Sequence, residues 1–318
     1  MKKQLWLIIL MAPIFLIMAT LLVSMIMSPP KGGKVLAEKA GLPYPAVIAH
    51  RGVSYLAPEG TLPSYLLARE MGVHYLEADL QRTKDGRIIA FHDDSPLRTT
   101  NVTEIYPGRK NDHIETFTLE ELLQLDAGSW FNLEYPERAR ESYRGLKILT
   151  LEELIDIAET GHNNPGLYLE IKAPHRQPGI EEEIVVNVAR FTGRVVFQSF
   201  YPESIKKLKV LAPEVPRVQL ISSEMAAEDG FYSLLKEAAL SAQGIGPTGY
   251  LGWPWYTGAA HGAGLVVHHY TINARWQMRL LTFLGADGLF TDRSELALAV
   301  LGKTKMIDMD TVFRQIGY

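Results

Sequence analysis

The stretch Tyr75-Leu76-Glu77-Ala78-Asp79-Leu80 alternates apolar and acidic residues from Leu76 onward. Successive side chains of a β-strand point to opposite faces, so the pattern predicts a strand with both carboxylates on one face. Glu77 and Asp79 would then lie about 6.6 Å apart along the strand. Oxygen ligands at this spacing can share one hard cation. The stretch therefore indicates a metal site on a strand of the fold.

Short strand-like runs alternate with helical stretches from about residue 46 onward, which is typical of α/β proteins with a mainly parallel sheet. About eight strands can be counted, with Gln243 to Gly246 as a doubtful ninth, and this number predicts a (β/α)8 TIM-type barrel. The connection Thr83 to Gly86 is too short for a helical crossover, so one helix of the ideal barrel should be missing. Residues 99–145 form a long connection with a helix of its own, which predicts a small insertion after the third strand.

Other strand-like runs also end in polar side chains that can carry chemistry. His50 and His92 each follow a short apolar run, and Glu170 and Lys172 share one face of the run Gly166 to Lys172. Taken singly, such a histidine or acid is more often an ordinary polar loop or strand residue. Enzymes on this barrel carry their catalytic groups at the C-terminal ends of the strands, which meet at one mouth. The recurrence at equivalent positions therefore predicts one shared site.

The N-terminus contains an uncharged run of 23 residues, Leu5 to Met27. A helix of that length spans about 34 Å, enough to cross a bilayer. We predict a membrane anchor over residues 1–30, a linker over 31–45 and a catalytic domain over 46–318. A cleaved signal peptide is the alternative, although its apolar region is usually only about 7–15 residues long. A short basic tail precedes the run, so we expect a single-pass protein with its catalytic domain outside the cytoplasm.

Composition excludes several function classes. The formal net charge of −4 argues against a nucleic-acid-binding surface held by bulk electrostatics. The chain contains no cysteine, which excludes disulfides, thiol catalysis and thiolate metal ligands. Any metal must therefore bind to oxygen or imidazole ligands.

Several short motifs follow one another in a diagnostic order. They are His50-Arg51-Gly52, Pro58-Glu59, Glu77-x-Asp79, Thr83-Lys84-Asp85-Gly86, His92-Asp93, Glu170-Ile171-Lys172, Tyr270-Thr271-Ile272-Asn273 and Ala286 to Asp292. In these motifs the chain resembles the glycerophosphodiester phosphodiesterase family over most of residues 46–300. The resemblance implies a barrel that hydrolyses glycerophosphodiesters to glycerol 3-phosphate and an alcohol with a divalent cation, Mg²⁺ or Ca²⁺.

The resemblance also implies a role for each matching residue. By role, these are the metal ligands Glu77, Asp79 and Glu170, the acid–base pair His50 and His92, the phosphate contacts Arg51 and Lys172, the substrate-contacting aromatic residue Tyr270, and the secondary candidate Glu59. Such a set suits the chemistry, because a cation and fixed positive side chains stabilise the charge that grows on a phosphodiester during cleavage. Tyr270 stands where the family commonly has Trp, and Gly60 where it has Asn, so substrate preference could differ.

Three functions are compatible with these residues. The first is a membrane-anchored, metal-dependent glycerophosphodiester phosphodiesterase. The second is a lysophospholipase D, which cleaves the same type of bond in a lysophospholipid that the anchor would bring within reach. The third is a phosphodiester-binding module without turnover, against which the intact pair His50 and His92 argues. Whether water or the neighbouring glycerol hydroxyl attacks, and which histidine acts as the acid, stays open at this point.

Overall fold

The computed structural model describes residues 23, 32–303 and 308–318. Within these residues, ten strands lie in one sheet. In chain order they are β1 (Ala46–Ala49), β2 (Tyr75–Arg82), β3 (Ile88–Ala90), β4 (Leu149–Thr150), β5 (Gly166–Ile171), β6 (Val195–Ser199), β7 (Arg217–Ile221), β8 (Gly244–Pro247), β9 (Val266–His269) and β10 (Gly288–Thr291).

Helices connect most of these strands. In chain order they are α1 (Gly33–Lys39), α2 (Leu62–Glu70), α3 (Val102–Ile105), α4 (Leu119–Leu123), α5 (Ser129–Glu134), α6 (Leu151–Glu159), α7 (Ile180–Val188), α8 (Pro202–Leu211), α9 (Ser223–Met225), α10 (Phe231–Ala238), α11 (Pro254–Gly262), α12 (Arg275–Phe283), α13 (Ser294–Val300) and α14 (Met309–Gln315). Threonine capping boxes begin α4 and α6, since in each the side chain of a Glu three residues on accepts from the backbone of the Thr.

Eight parallel strands close into a barrel. β1 pairs with β10 on one side and with β2 on the other. The remaining parallel neighbours follow as β2, β5, β6, β7, β8, β9 and β10. The interior is filled by large side chains such as Tyr75, Tyr168 and Phe290, which are fully buried or nearly so, while a second apolar layer packs between the strands and the outer helices. The predicted (β/α)8 TIM-type barrel is confirmed.

The sequence count and the structure differ in which strands form the ring of eight. The third predicted strand is β3, which pairs antiparallel with the end of β2 and lies outside the ring of eight, because its four-residue turn allows only a hairpin. The doubtful ninth strand, Gln243 to Gly246, supplies β8 of the ring. A Cβ on Gly246 would lie 2.6 Å from Leu220 Cδ2, so a neighbouring side chain fills the space that an apolar residue of β8 would take. Strand β8 therefore lacks the apolar alternation on which the sequence count relied.

The connection between β3 and β5 contains the predicted insertion range, residues 99–145. This range holds α3, α4, α5 and several single-turn 3₁₀ segments. Phe117 and Leu122 are fully buried there and pack in one cluster with Ile89 of β3. The connection thus carries a small apolar core of its own beside the barrel.

Helix α1 packs beneath the barrel, at the N-terminal ends of the strands. Ala37 of α1 is fully buried in one cluster with Ala46 and Val266, which begin β1 and β9. Gly33 lies against Asp287, because a Cβ at Gly33 would come within 1.6 Å of the carboxylate oxygen Oδ1. Most of the range predicted as a linker, 31–45, is therefore packed against the barrel.

The predicted anchor, residues 1–30, lies outside the described residues apart from residue 23. Within the residues that the structure describes, none of the helices has the length and apolar character needed to cross a membrane.

Candidate active site

Closure of the barrel brings the predicted site residues to one mouth. A cavity of about 190 Å³ opens there between the C-terminal ends of the strands. Its lining includes His50, Arg51, Glu77, His92, Glu170, Lys172 and Tyr270. Asp79 and Glu59 line an adjoining cleft that shares Arg51 and His92 with this cavity. All nine residues singled out from the sequence are therefore gathered in one region.

Three acidic side chains form the floor of the mouth. In the parallel register, Asp79 of β2 lies beside Glu170 of β5, and Glu77 lies two residues earlier on the same face. One carboxylate oxygen from each lies within 4.8 Å of the others, and all three residues are at most 6% exposed. Among the described residues, this trio is the group that could hold a metal ion.

The trio is electrostatically uneven. Burial and repulsion from Asp79 and Glu170 raise the pKa of Glu77 well above its usual range. Burial likewise raises the pKa of Glu170, against the opposing effect of Lys172. Burial alone would also raise the pKa of Asp79, but the charges of Arg51 and Lys172 lower it below its usual range. The site therefore concentrates more negative charge than the protein itself readily stabilises.

Two cations of the protein lie against this trio. Arg51 Nε is 3.0 Å from Asp79 Oδ2, and Lys172 Nζ is 3.1 Å from Glu170 Oε1. Gln198 also reaches the trio, because its Nε2 donates to Glu77 Oε1 at 3.0 Å while its own Oε1 is buried without a partner. Three carboxylates with an unpaired amide oxygen beside them are a suitable oxygen donor set for a hard divalent cation. The residues present thus fit such an ion.

Arg51 is held in place by an unusual backbone. Its φ is +55°, a left-handed conformation that a residue with a side chain seldom adopts. In this conformation its backbone N–H donates to Glu77 Oε2 at 2.9 Å, and its guanidinium Nη1 donates to Glu59 Oε1 at 2.9 Å. The loop after β1 therefore aims both the amide and the guanidinium of one residue into the site.

His50 is oriented by Asp292, which follows β10. The two residues share a hydrogen bond of 2.7 Å between Nδ1 of the ring and Oδ1 of the carboxylate. Asn273 and Ser54 also donate to this carboxylate. Burial would raise the pKa of Asp292, but His50, Asn273 and Ser54 lower it to about 2. An ionised Asp292 fixes the proton of His50 on Nδ1 and leaves Nε2 for exchange with a ligand.

His92 is oriented by its chain neighbour Asp93. Its Nδ1 shares a hydrogen bond of 2.6 Å with Asp93 Oδ1. Arg98 donates both to Asp93, through Nε at 2.6 Å, and to Glu59, through Nη2 at 2.7 Å. Burial would raise the pKa of Glu59, but Arg98 and Arg51 lower it. Glu59 therefore contacts two guanidinium groups and positions Arg51 from outside the acidic trio.

Aromatic side chains form one wall of the cavity. Tyr270 packs edge-on against Phe200, with ring centroids 5.8 Å apart, and its hydroxyl donates to the backbone oxygen of Ile221. Tyr270 stands where the family that the chain resembles commonly has Trp, and its hydroxyl thus has a hydrogen-bond partner. His268 and His269 are buried below the mouth with their Nδ1 atoms near Tyr168 and Pro247, and burial lowers the pKa of both to about 4. These two neutral histidines belong to the core.

Asp292, Asp93 and Gln198 also belong to the site, although no role was predicted for them from the sequence. Asp292 ends the run Gly288 to Thr291 in the same way that His50 ends β1, so the strand-end rule could have found it. Gln198 lies inside a strand whose pattern carries no comparable signal. Asp93 directly follows a histidine that was assigned, and only the structure reveals its hydrogen bond.

The chain is similar to known proteins over most of its length. The family model described as "Glycerophosphoryl diester phosphodiesterase family" matches residues 50–296. A glycerophosphodiester phosphodiesterase of Bacillus subtilis is 37% identical over 257 residues, which cover 78% of this chain and 84% of the relative. A second enzyme of that name, from Caldanaerobacter subterraneus, is 30% identical and is covered over 98% of its length, against 81% of this chain.

A solved structure agrees with both the fold and the family. An Oleispira antarctica phosphodiesterase, in complex with the product sn-glycerol-3-phosphate, superposes with a TM-score of 0.66 at 29% identity. The match covers 81% of this chain and 97% of that one.

The loop that carries His50 and Arg51 yields a test of stability. Gly52 has a φ of +84°, and a Cβ there would lie 2.6 Å from the backbone carbonyl carbon of Ser64. We expect Gly52→Ala to lose about 1–2 kcal/mol through backbone strain and about 1–3 kcal/mol more through the clash. Gly86→Ala is the matched control, because Gly86 has a φ of +81° but open space around it.

Urea unfolding followed by circular dichroism measures both variants. Gly86→Ala should show only the cost of backbone strain. Equal losses of unfolding free energy in the two variants would contradict the close packing of the loop against α2.

Proposed function

The chain belongs to the glycerophosphoryl diester phosphodiesterase family, and on that premise we propose that its barrel mouth hydrolyses glycerophosphodiesters to glycerol 3-phosphate and an alcohol. One observation carries the proposal: two histidines, each hydrogen-bonded to a carboxylate, line the same mouth as the buried acidic trio. The cavity of about 190 Å³ favours a compact polar substrate over one with an acyl chain.

We propose that Glu77, Asp79 and Glu170 hold a divalent cation, Mg²⁺ or Ca²⁺. Their three oxygens and the charge imbalance described above support this assignment. When bound, such a cation polarises a phosphoryl oxygen and offsets negative charge as it develops.

Arg51 and Lys172 are the phosphate contacts in this proposal. Both line the cavity and both are fixed by carboxylates of the trio. Positive groups held in place before the reaction stabilise the developing charge without a cost of reorganisation. The left-handed backbone of Arg51 supports a functional role, because strain of this kind concentrates at functional sites.

His50 and His92 exchange the protons. One imidazole takes a proton from the attacking oxygen, and the other gives a proton to the departing alkoxide. Each ring has its Nδ1 engaged by a carboxylate, so in each the Nε2 atom exchanges the proton. Tyr270 and Phe200 form the wall against which the organic part of the substrate rests.

We also propose that residues 1–30 anchor the enzyme in a membrane as a single-pass protein with its catalytic domain outside the cytoplasm. The uncharged run Leu5 to Met27 supports this assignment. Helix α1 follows this run in the sequence and packs beneath the barrel, so the proposed anchor would join the barrel at the end opposite to the mouth.

Activity measurements test the catalytic assignment. With glycerophosphocholine as substrate, His50→Ala and His92→Ala should each lower kcat about 10²–10⁴-fold, because each removes a positioned proton-transfer group. Glu77→Gln and a chelator should both abolish turnover, and added Mg²⁺ or Ca²⁺ should reverse the effect of the chelator. His162→Ala is the matched control, because His162 is exposed away from the mouth.

Three outcomes would contradict parts of this proposal. Full activity in the presence of chelator would exclude the cation. Binding of glycerophosphocholine without release of choline would favour the binding module. Turnover of lysophosphatidylcholine, but not of glycerophosphocholine, would favour the lysophospholipase D.

Asp292→Asn tests how His50 is positioned. Asparagine keeps the size of the side chain but can present an N–H to Nδ1, which favours the ring tautomer with its proton on Nε2. We expect kcat to fall about 10²-fold or more with little change in KM, and the ¹⁵N shifts of the His50 ring to report the other tautomer. Asp94→Asn serves as control, because Asp94 pairs with Arg176 at the surface. An unchanged tautomer together with an unchanged kcat would overturn the role of Asp292.

A further inference from the structure

Helix α12 presents apolar side chains to the outside of the barrel. Trp276, Leu280 and Phe283 are 65%, 42% and 49% exposed and follow one another at intervals of four and three residues. This spacing places them in one stripe along the helix. Met278 and Leu281 bury the opposite side of α12 against the barrel. The helix therefore carries two apolar sides, of which only one is covered within the described residues.

The loop after β8 widens this stripe into a groove. Tyr250 and Trp253, which are 83% and 47% exposed, line a groove of about 320 Å³ together with Trp276 and Leu280. The loop lies tightly against α12, because a Cβ at Gly252 would come within 2.1 Å of a methyl carbon of Leu281. Scattered exposed apolar residues need no explanation, but a contiguous aromatic surface indicates a binding site. We call Tyr250, Trp253, Trp276, Leu280 and Phe283 the α12 face.

The charge around the α12 face differs from that of the whole protein. The formal net charge of the chain is −4, yet residues 238–286 contain no Asp or Glu. Arg275 and Arg279 are both exposed on α12, one turn apart beside the apolar stripe. The face is thus aromatic and cationic, which complements a surface that is apolar inside and anionic outside.

The α12 face also leads to the point where the N-terminal segment joins the barrel. Helix α12 ends at Phe283, four residues before Asp287, whose carboxylate lies against Gly33. The uncharged run Leu5 to Met27 precedes Gly33 by only a few residues. A membrane that held this run would therefore lie near the lower end of α12.

From these observations we propose that the α12 face docks on an anionic lipid bilayer, with Arg275 and Arg279 against the headgroups. Trp and Tyr are suited to this position, since their rings are apolar and their N–H or O–H groups are polar. A symmetric contact with a second copy is disfavoured, because it would bring arginines together in a segment without carboxylates. The barrel would then rest on its side, with the rim of its mouth near the lipid surface. The proposal does not depend on the catalytic assignment.

Vesicle flotation of residues 32–318 tests the face apart from the proposed anchor. This fragment contains the closed barrel and its core, so we expect it to fold without the N-terminal run, which circular dichroism checks. It should float with vesicles containing phosphatidylglycerol and should bind pure phosphatidylcholine vesicles far more weakly. Binding should weaken as salt is added.

Two sets of variants identify the surface. Trp276→Ser with Leu280→Ser should weaken vesicle binding at least about tenfold by removing apolar anchors. Arg275→Gln and Arg279→Gln should each weaken it about fivefold, and only for anionic vesicles. Val186→Ser with Val210→Ser is the matched control, because these residues of α7 and α8 are 74% and 80% exposed on other helices. Hydrolysis of glycerophosphocholine, measured on the same samples, should be unchanged in every variant.

Three results would overturn the proposal. The first is an absence of flotation, or flotation that the α12 variants leave unchanged. The second is a dimer in equilibrium sedimentation that Trp276→Ser with Leu280→Ser dissociates, which would assign the face to a second copy. The third is that the α12 variants bind vesicles normally but selectively lose activity on monomeric lysophosphatidylcholine, which would assign the groove to an acyl chain. Loss of glycerophosphocholine hydrolysis in the unsubstituted fragment would instead count against the proposed function alone.

Discussion

Three carboxylates buried within 4.8 Å of one another are the constraint on which the rest of the site depends. Taking such charges out of water is costly unless positive charge or hydrogen bonds offset the loss of hydration. Arg51 and Lys172 supply part of that charge from the loop after β1 and from the end of β5. The left-handed backbone of Arg51 persists because Glu77, Glu59 and Asp79 all contact this one residue. Backbone strain, hydrogen bonds and charge therefore act together to fix the position of Arg51 beside the three carboxylates.

The two histidines are connected to this constraint by different routes. His92 reaches Arg51 through a chain of contacts that passes through Asp93, Arg98 and Glu59. His50 is held instead by the carboxylate that follows β10, the strand that closes the barrel against β1. The position of one histidine thus depends on the loops beside the mouth, and the position of the other depends on closure of the ring. A change that loosens either support should affect catalysis without touching the acidic trio.

Much of the fold and of the site was predictable, because strand alternation and strand-end position are local properties of the sequence. The face shared by Glu77 and Asp79 and the tight turn after β2 follow from counting residues. Strand β8 was doubtful, since its glycines leave their space to side chains of neighbouring strands, and that packing is visible only in three dimensions. The pairing of His50 with Asp292 joins residues far apart in the sequence, so no local pattern could have indicated it.

Anomalous diffraction from crystals grown with Mn²⁺ and glycerol 3-phosphate tests the central claim most directly, because it locates the cation and the phosphate together. The account predicts one anomalous peak within coordination distance of Glu77, Asp79 and Glu170, with the phosphate beside it and within hydrogen-bond distance of Arg51 and Lys172. A peak elsewhere on the protein, or a phosphate bound away from the two histidines, would contradict it.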